Sequence, residues 1–466
     1  MRISILTSLM AAMAMTASAE TVTMSLQQCL DIALSESPTI KVADLEITRS
    51  DYSKKETLAQ LLPTVSFGGS YNRMLAKQVM YMNLGDMGGF GGGAGDGETG
   101  GDSAPAAEET ETKKGGDDGI KMGLDNSYQL GFSAAVPLIA PQLWQSLKLS
   151  DSQIAQTVEQ ARASRLNLVS SVKSAYYALL LAKDSKRTVQ QSYDMAKFTH
   201  DTYVKQQSVG AASEYDVLRT SVAMKNIEPE LTQADISISR AKLQLQILMG
   251  MTPGDYDIDV AGELADYEKT MYGDVLALGD DYSANSQLVM NELQTKTLEQ
   301  SLKVQKMAWY PTLSLSGSYN WTSSSNGSPF KNFRWNPYSV MGLTLNIPLF
   351  EGGARYTRIK SAEVAVNQAR LQRQDLENSI AMQVDLAKEN LLLNVKQIAS
   401  CSESVGEADR AYDIMKRSFD IGAASYLDMR DSELALTRSR LAYYQAIYNY
   451  LIAGTELELL LGTAVK

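Results

Sequence analysis

Two periods of apolar and polar residues alternate along this chain. Over PTVSFGGSYN (63–72), Val65, Phe67, Gly69 and Tyr71 take turns with Ser66, Gly68, Ser70 and Asn72. SYQLGFSAAV (127–136), PTLSLSGSYNW (311–321) and YSVMGLTLNIP (338–348) do the same. A period of two over about ten residues predicts β-strands at about 63–73, 127–137, 311–322 and 338–348. The second period is that of a coiled coil. From Ile380 to Phe419, apolar or small residues stand at 380, 384, 387, 391, 395, 398, 402, 405, 408, 412, 415 and 419, a mean step of about 3.5 residues. No proline follows Pro348. The pattern therefore predicts one helix over 354–420, ~100 Å long at ~1.5 Å per residue. A counterpart runs over 142–209, and return helices run over 213–249 and 425–461. Shorter helices at about 25–61 and 285–309 precede the strands.

The chain is a duplication. LPTVSFGGSYN at 62–72 matches YPTLSLSGSYN at 310–320, an offset of 248. FSAAVPLIA at 132–140 matches LTLNIPLFE at 343–351, an offset of 211. VGAAS at 209–213 matches IGAAS at 421–425, and LMG at 248–250 matches LLG at 460–462, both offset by 212. The drop in offset locates an insertion in the first copy, the acidic glycine-rich stretch within 85–119. The reading is a first repeat at 20–249, an equatorial segment of mixed structure at 250–283, and a second repeat at 284–466. Each repeat is helix, strand, strand, long helix, tight corner and return helix.

The corners explain themselves. Gly210 and Gly422 supply the left-handed residue that ends a long helix. Ser213 and Ser425, with Asp216 and Asp428 three residues on, start the return helices as capping boxes. In the strands one face is small and polar and the other apolar and aromatic, which suits a β-ribbon between lipid and water. Four strands do not close a barrel, and unpaired backbone groups in hydrocarbon cost several kcal/mol each. The edges must pair with other copies of the chain.

Composition narrows the rest. MRISILTSLMAAMAMTASAE has a basic start, an apolar run and an Ala17-Ser18-Ala19 end, so 1–19 reads as a secretory signal. No later stretch has the ~18 apolar residues of a membrane-spanning helix. A net charge of −11 argues against nucleic acid as a partner. Residues 85–119 carry nine acids against two lysines, and with thirteen glycines they read as a disordered loop, about 83–126, joining the first two strands. Cys29 and Cys401 are the two cysteines and His200 the one histidine. No nucleophile elbow, phosphate loop or zinc-helix motif occurs, so no catalytic, cofactor or metal residue is expected.

With the twin [VI]GAAS-x-x-D corners, IPLFEGG at 347–353 and the paired PTxSxxGSYN strands, the sequence resembles the TolC-type outer-membrane efflux proteins over essentially the whole mature chain. The resemblance implies a mainly α fold with a membrane β-barrel, in which a homotrimer forms twelve barrel strands and an α-helical tunnel across the periplasm. It implies an exit channel in the bacterial outer membrane for tripartite efflux or type I secretion, fed by a periplasmic adaptor and an inner-membrane pump. The tips Gly210, Ala211, Ala212, Ser213, Gly422, Ala423, Ala424 and Ser425 would then contact the adaptor. Asp428 and Asp431 would stand at the periplasmic entrance, although Asp428 reads equally as a capping acid. The family's entrance lock of tyrosine and arginine falls on Phe419 and Ala424, so another lock is required. The Trp321, Trp335, Tyr319, Tyr338 and Phe333 cluster fits either an aromatic belt or a loop core. The rival reading is an exported periplasmic coiled-coil spacer or adaptor without a pore.

Overall fold

The computed structural model describes residues 22–80, 120–252, 257–268, 281–326 and 334–463. The expected signal and the acidic insertion, with Phe333, lie outside the described residues. The chain divides into a sheet unit, 57–144 with 307–352, and a helical unit made of the rest.

In the sheet unit, β2 (Thr64–Arg73), β5 (Asn126–Ile139), β7 (Thr312–Ser325) and β8 (Asn336–Asn346) form one antiparallel sheet in the order β2-β5-β7-β8. The two hairpins are joined by the β5–β7 ladder, and β2 and β8 are the sheet's edges. Side chains of directly opposed residues share a face, so the register sorts them into rows. One face carries Phe67, Phe132 and Tyr319 in a row, then Val65, Ala134, Gly317 and Met341, then Leu315 and Leu343. Phe67 and Phe132 lie 4.8 Å apart, and Tyr71 stacks on Tyr128 at 4.9 Å. This face is exposed within one chain, with Met341 at 77% and Val65 at 71%. The other face carries Ser66, Ser133 and Ser318, then Gly68, Gly131 and Asn320, with Ser66 and Ser133 hydroxyls 2.7 Å apart. Tyr319 and Trp321 sit on the apolar face, whereas Tyr338 and Val340 fall on the polar one. The aromatic cluster is therefore split between the faces. Arg73 is the one charged residue in these four strands.

A short ribbon of β3 (Gln78–Met80) and β4 (Ile120–Met122) extends the first hairpin. The end of the expected disordered loop is thus paired backbone, and β5 begins at Asn126 within it.

In the helical unit the two long helices are α3 (Pro141–Ser208) and α8 (Ala354–Asp420), of 68 and 67 residues. The return arms differ. The second is one helix, α9 (Tyr426–Leu461). The first, expected as 213–249, is two: α4 (Glu214–Lys225) and α5 (Glu228–Leu248). Pro229 lacks an N–H, and its ring opposes the carbonyl four residues back, which ends α4 at Lys225. Likewise 25–61 is two helices, α1 (Leu26–Glu36) and α2 (Pro38–Ala59), divided before Pro38. The helix after the equatorial segment is α7 (Ser286–Met307).

The helices lie side by side in one order along the unit. Toward the corners the order is α4–α5, α3, α9, α8, marked by Lys186–Asp235 at 2.5 Å, Arg440–Gln191 at 3.1 Å and Arg440–Asp409 at 2.9 Å. Toward the strands it is α2, α3, α7, α8, marked by Lys54–Asp151, Gln156–Gln294 and Arg370–Glu299, each at 2.7 Å. Between these levels, β1 (Val22–Met24) pairs in parallel with β6 (Ile258–Val260), followed by α6 (Leu264–Glu268). The buried carboxylate of Asp184 accepts from the Leu264 amide at 3.0 Å, which caps α6 onto α3. The main core gathers here around Tyr176, Leu179, Leu180, Leu245, Ile258 and Tyr450. The sequence pattern gave no sign that residues 22–24 join this segment as a strand, because three residues are too few to show a period.

Candidate entrance site at the two hairpin corners

Both corners fold alike. Gly422 has φ +77°, its N–H donates to Phe419 O at 2.9 Å, and Ala423 N–H donates to Ser418 O at 2.7 Å. This is the paired bond pattern of a left-handed helix stop. Gly210 and Ala211 make the same pair to Gln207 and Gln206, at 3.0 and 2.8 Å. Beyond each stop a serine restarts the helix. Asp428 N–H donates to Ser425 Oγ at 3.3 Å, and Ser425 Oγ donates to Asp428 Oδ2 at 2.7 Å. Ser213 and Asp216 repeat the arrangement at 3.2 and 2.6 Å. The Ser213 hydroxyl holds the Asp216 carboxyl below its ordinary range. Asp428 is therefore a capping acid in this structure, while Asp431 is exposed one turn further along α9. Apolar side chains stand in water at both tips: Val209 is 77% exposed and Ile421 81%.

Behind the tips, α3 and α9 meet through a polar seam. Tyr426, Met429, Glu433 and Leu436 follow coiled-coil spacing on α9, so a carboxylate occupies a core position. Glu433 is 6% exposed and accepts from Ser192 Oγ at 2.8 Å. Burial raises its pKa against the pull of Ser192 and Arg430. Arg430 faces it at 3.6 Å, too long for a hydrogen bond. Tyr203 of α3 meets Tyr426 edge-on at 5.9 Å, and the Arg219 guanidinium of α4 lies over the same ring at 4.7 Å. Phe419 packs on Tyr426 at 6.5 Å. Burial pushes the Tyr412 phenol up to about 12, and its hydroxyl, Arg430 Nη1 and Arg219 Nε have no hydrogen-bond partner among the described residues. Unsatisfied buried donors make a contact cheap to separate, since each regains water when the seam parts.

Phe419 thus takes part in holding the arms together through Tyr426, whereas Ala424 makes no such link. Sequence reasoning missed Ser192, Tyr203, Arg219, Arg430 and Glu433. The signal was present: Glu433 breaks an apolar heptad, and Tyr203 and Tyr426 flank the two corners. Among the described residues no group of three or more His, Cys, Asp or Glu could hold a metal ion. No described helix is long and apolar enough to cross a membrane.

The outer membrane efflux protein family model matches residues 29–251 and 282–463. The chain belongs to that family. Both repeats are covered, and the gap falls in the equatorial segment. The chain is 22% identical to the outer membrane protein TolC of Vibrio cholerae over 338 residues, 72% of this chain and 76% of that one. It is 22% identical over 302 residues to the cobalt-zinc-cadmium resistance protein CzcC of Cupriavidus metallidurans, 64% of this chain and 68% of that one. Among solved structures it shares the fold of the open-state MtrE outer membrane channel of Neisseria gonorrhoeae, with a TM-score of 0.69, 16% identity and coverage of 97% and 94%. The protein is an outer-membrane exit channel of the tripartite-efflux kind, and its family is one of channels rather than enzymes. The pore-free spacer reading is set aside.

Proposed function

We propose that three copies close one twelve-stranded barrel and one helical tunnel. Through them pass substrates handed over by an inner-membrane pump and a periplasmic adaptor. The observation that carries this is the four-stranded sheet whose edges β2 and β8 have no partner strand among the described residues. In an outer membrane such edges must pair. The apolar face then meets lipid and the hydroxyl-rich face lines the lumen. The adaptor engages the corners at Gly210–Ser213 and Gly422–Ser425, where small residues let helices approach closely. Asp428 and Asp431, three residues apart on one helix face, ring the entrance with negative charge.

The chain itself selects little. The polar face of its four strands carries no formal charge, so choice of cargo, including efflux against type I protein secretion, rests with the pump. The protein catalyses no step of its own. Sedimentation of the detergent-solubilised protein, with planar-bilayer recording, tests the reading. A threefold mass and stepwise ionic current are expected. A single-chain mass without current overturns it.

A further inference from the structure

Beyond its corner, α9 shows water one narrow line of side chains. Asp428, Asp431, Ala435, Arg438, Ala442 and Gln445 are exposed, while Met429, Glu433 and Leu436 between them are buried. The buried residues meet Met195 and Tyr203 of α3 and Ala408 and Tyr412 of α8. Steps of three and four keep the exposed line on one side of the helix, opposite that seam. Arg438 is its one cation, seven residues past Asp431, or ~10 Å along the axis at ~1.5 Å per residue. The nearest arginines of α9 are engaged. Arg430 faces Glu433 at 3.6 Å, and Arg440 donates to Gln191 at 3.1 Å and to Asp409 at 2.9 Å. Arg438 and Asp431 make no hydrogen bond, ion pair or ring contact among the described residues. The duplication does not supply this pair either. At the equivalent places, offset by 212, the first repeat has Arg219, turned over the Tyr426 ring, and Asn226, which ends α4. After Arg440, α9 carries no further charge before Glu456.

We propose that Arg438 forms a positive ring inside the channel, one heptad behind the acidic mouth, and counters the cation preference of that mouth. Three copies around one axis bring three guanidinium groups together, and rings of charged side chains set the sign of the ions a pore passes. Cations gathered by Asp431 are repelled at the second ring, and anions past the mouth are received there. The screening length is ~10 Å at about 0.1 M salt, equal to the spacing of the rings, so each acts largely by itself. The inference rests on the entrance reading above, because the heptad step puts Arg438 on whichever face Asp431 occupies.

The test is the reversal potential in planar bilayers under a potassium chloride gradient. Arg438→Gln, Arg438→Lys and Asp431→Asn are compared with the unaltered protein, and sedimentation confirms that each assembles as it does. Arg438→Gln should shift the potential further toward the potassium limit, Arg438→Lys should leave it in place, and Asp431→Asn should shift it the opposite way. The Arg438→Gln shift should be largest near about 0.1 M salt and shrink toward about 1 M, where the screening length is ~3 Å. A shift from Asp431→Asn with none from Arg438→Gln overturns the second ring and leaves the entrance standing. Arg438→Lys behaving like Arg438→Gln, or a shift that salt does not shrink, also overturns it, since charge is then not the cause. No shift from either site puts the whole line outside the lumen, and the entrance reading falls with the ring. Absence of current overturns the channel itself.

Discussion

Gly462 and Gly422 end the two limbs of the second hairpin in nearly the same left-handed conformation, φ +72° and +77°. Their surroundings are opposite. A Cβ on Gly422 would meet nothing within 4 Å, whereas one on Gly462 would lie 2.2 Å from Ala284 O and 2.6 Å from Ala284 C. Ala284 is backbone of the turn that starts α7. That turn is already tied, because Asn285 Nδ2 donates to Leu460 O at 2.7 Å and Asn285 Oδ1 accepts from Gln287 N at 2.9 Å. Relieving the clash means moving one main chain from the other by about 1 Å, to reach ordinary contact. Gly422→Ala should therefore cost only the left-handed penalty, roughly 1 kcal/mol. Gly462→Ala adds an overpacking term of about 1–3 kcal/mol and a strained Asn285 bond of about 1 kcal/mol, for roughly 3–5 kcal/mol in all. Urea unfolding of the detergent-solubilised protein, followed by far-ultraviolet circular dichroism, measures both. Hydrogen exchange should also quicken at Tyr282–Leu288 in Gly462→Ala alone. Equal losses in the two variants would refute the claim that the α9 end is locked against the α7 turn.

Three further outcomes are expected. Glu433 has a raised pKa in the packed seam, so the packed form takes up a proton as pH falls through that raised value. The penalty of the buried charge, present above it, is then lost, and acidification from neutral toward the ordinary carboxylate range near 4.5 tightens the α3–α9 contact. Ser192 from α3, Tyr412 from α8 and Arg430 on α9 face this carboxylate. Glu433→Gln should flatten this part of the pH profile in urea unfolding, and an unchanged profile counts against it. Asp431→Asn should lower cation preference in reversal-potential measurements, and an identical potential removes Asp431 from the entrance. Tyr426→Leu deletes the ring under Arg219 along with its packing on Tyr203 and Phe419, and the Arg219 share of the loss should be about 1 kcal/mol. Arg219→Ala should add little on top of it, and full additivity in that double-mutant cycle would show that the contact contributes nothing.

The four strands, both long helices and both corners were legible because each rests on a local rule: period two, a coiled-coil step, or glycine and serine at fixed places. Pro38 and Pro229 were in plain view, yet the apolar pattern ran through them, and both helices were expected whole. Strand β1 was hidden because its pairing with β6 joins residues more than two hundred positions apart. The family resemblance marked Asp428 and Asp431, but the polar seam is a matter of contact. Glu433 is recognisable as a seam residue only once Ser192 of the first repeat lies beside it.

The break at Pro229 has no counterpart in the second repeat, where Leu441 holds the equivalent place inside an unbroken α9 of 36 residues. One duplicated limb carries a joint and the other is a rod. A rod tilts as one piece and carries a push from its tip to its far end. A jointed limb flexes at the joint and keeps the push local. Two hairpins with almost identical ends are thus mechanically unequal, and the same pull on both corners would move only the second as a lever.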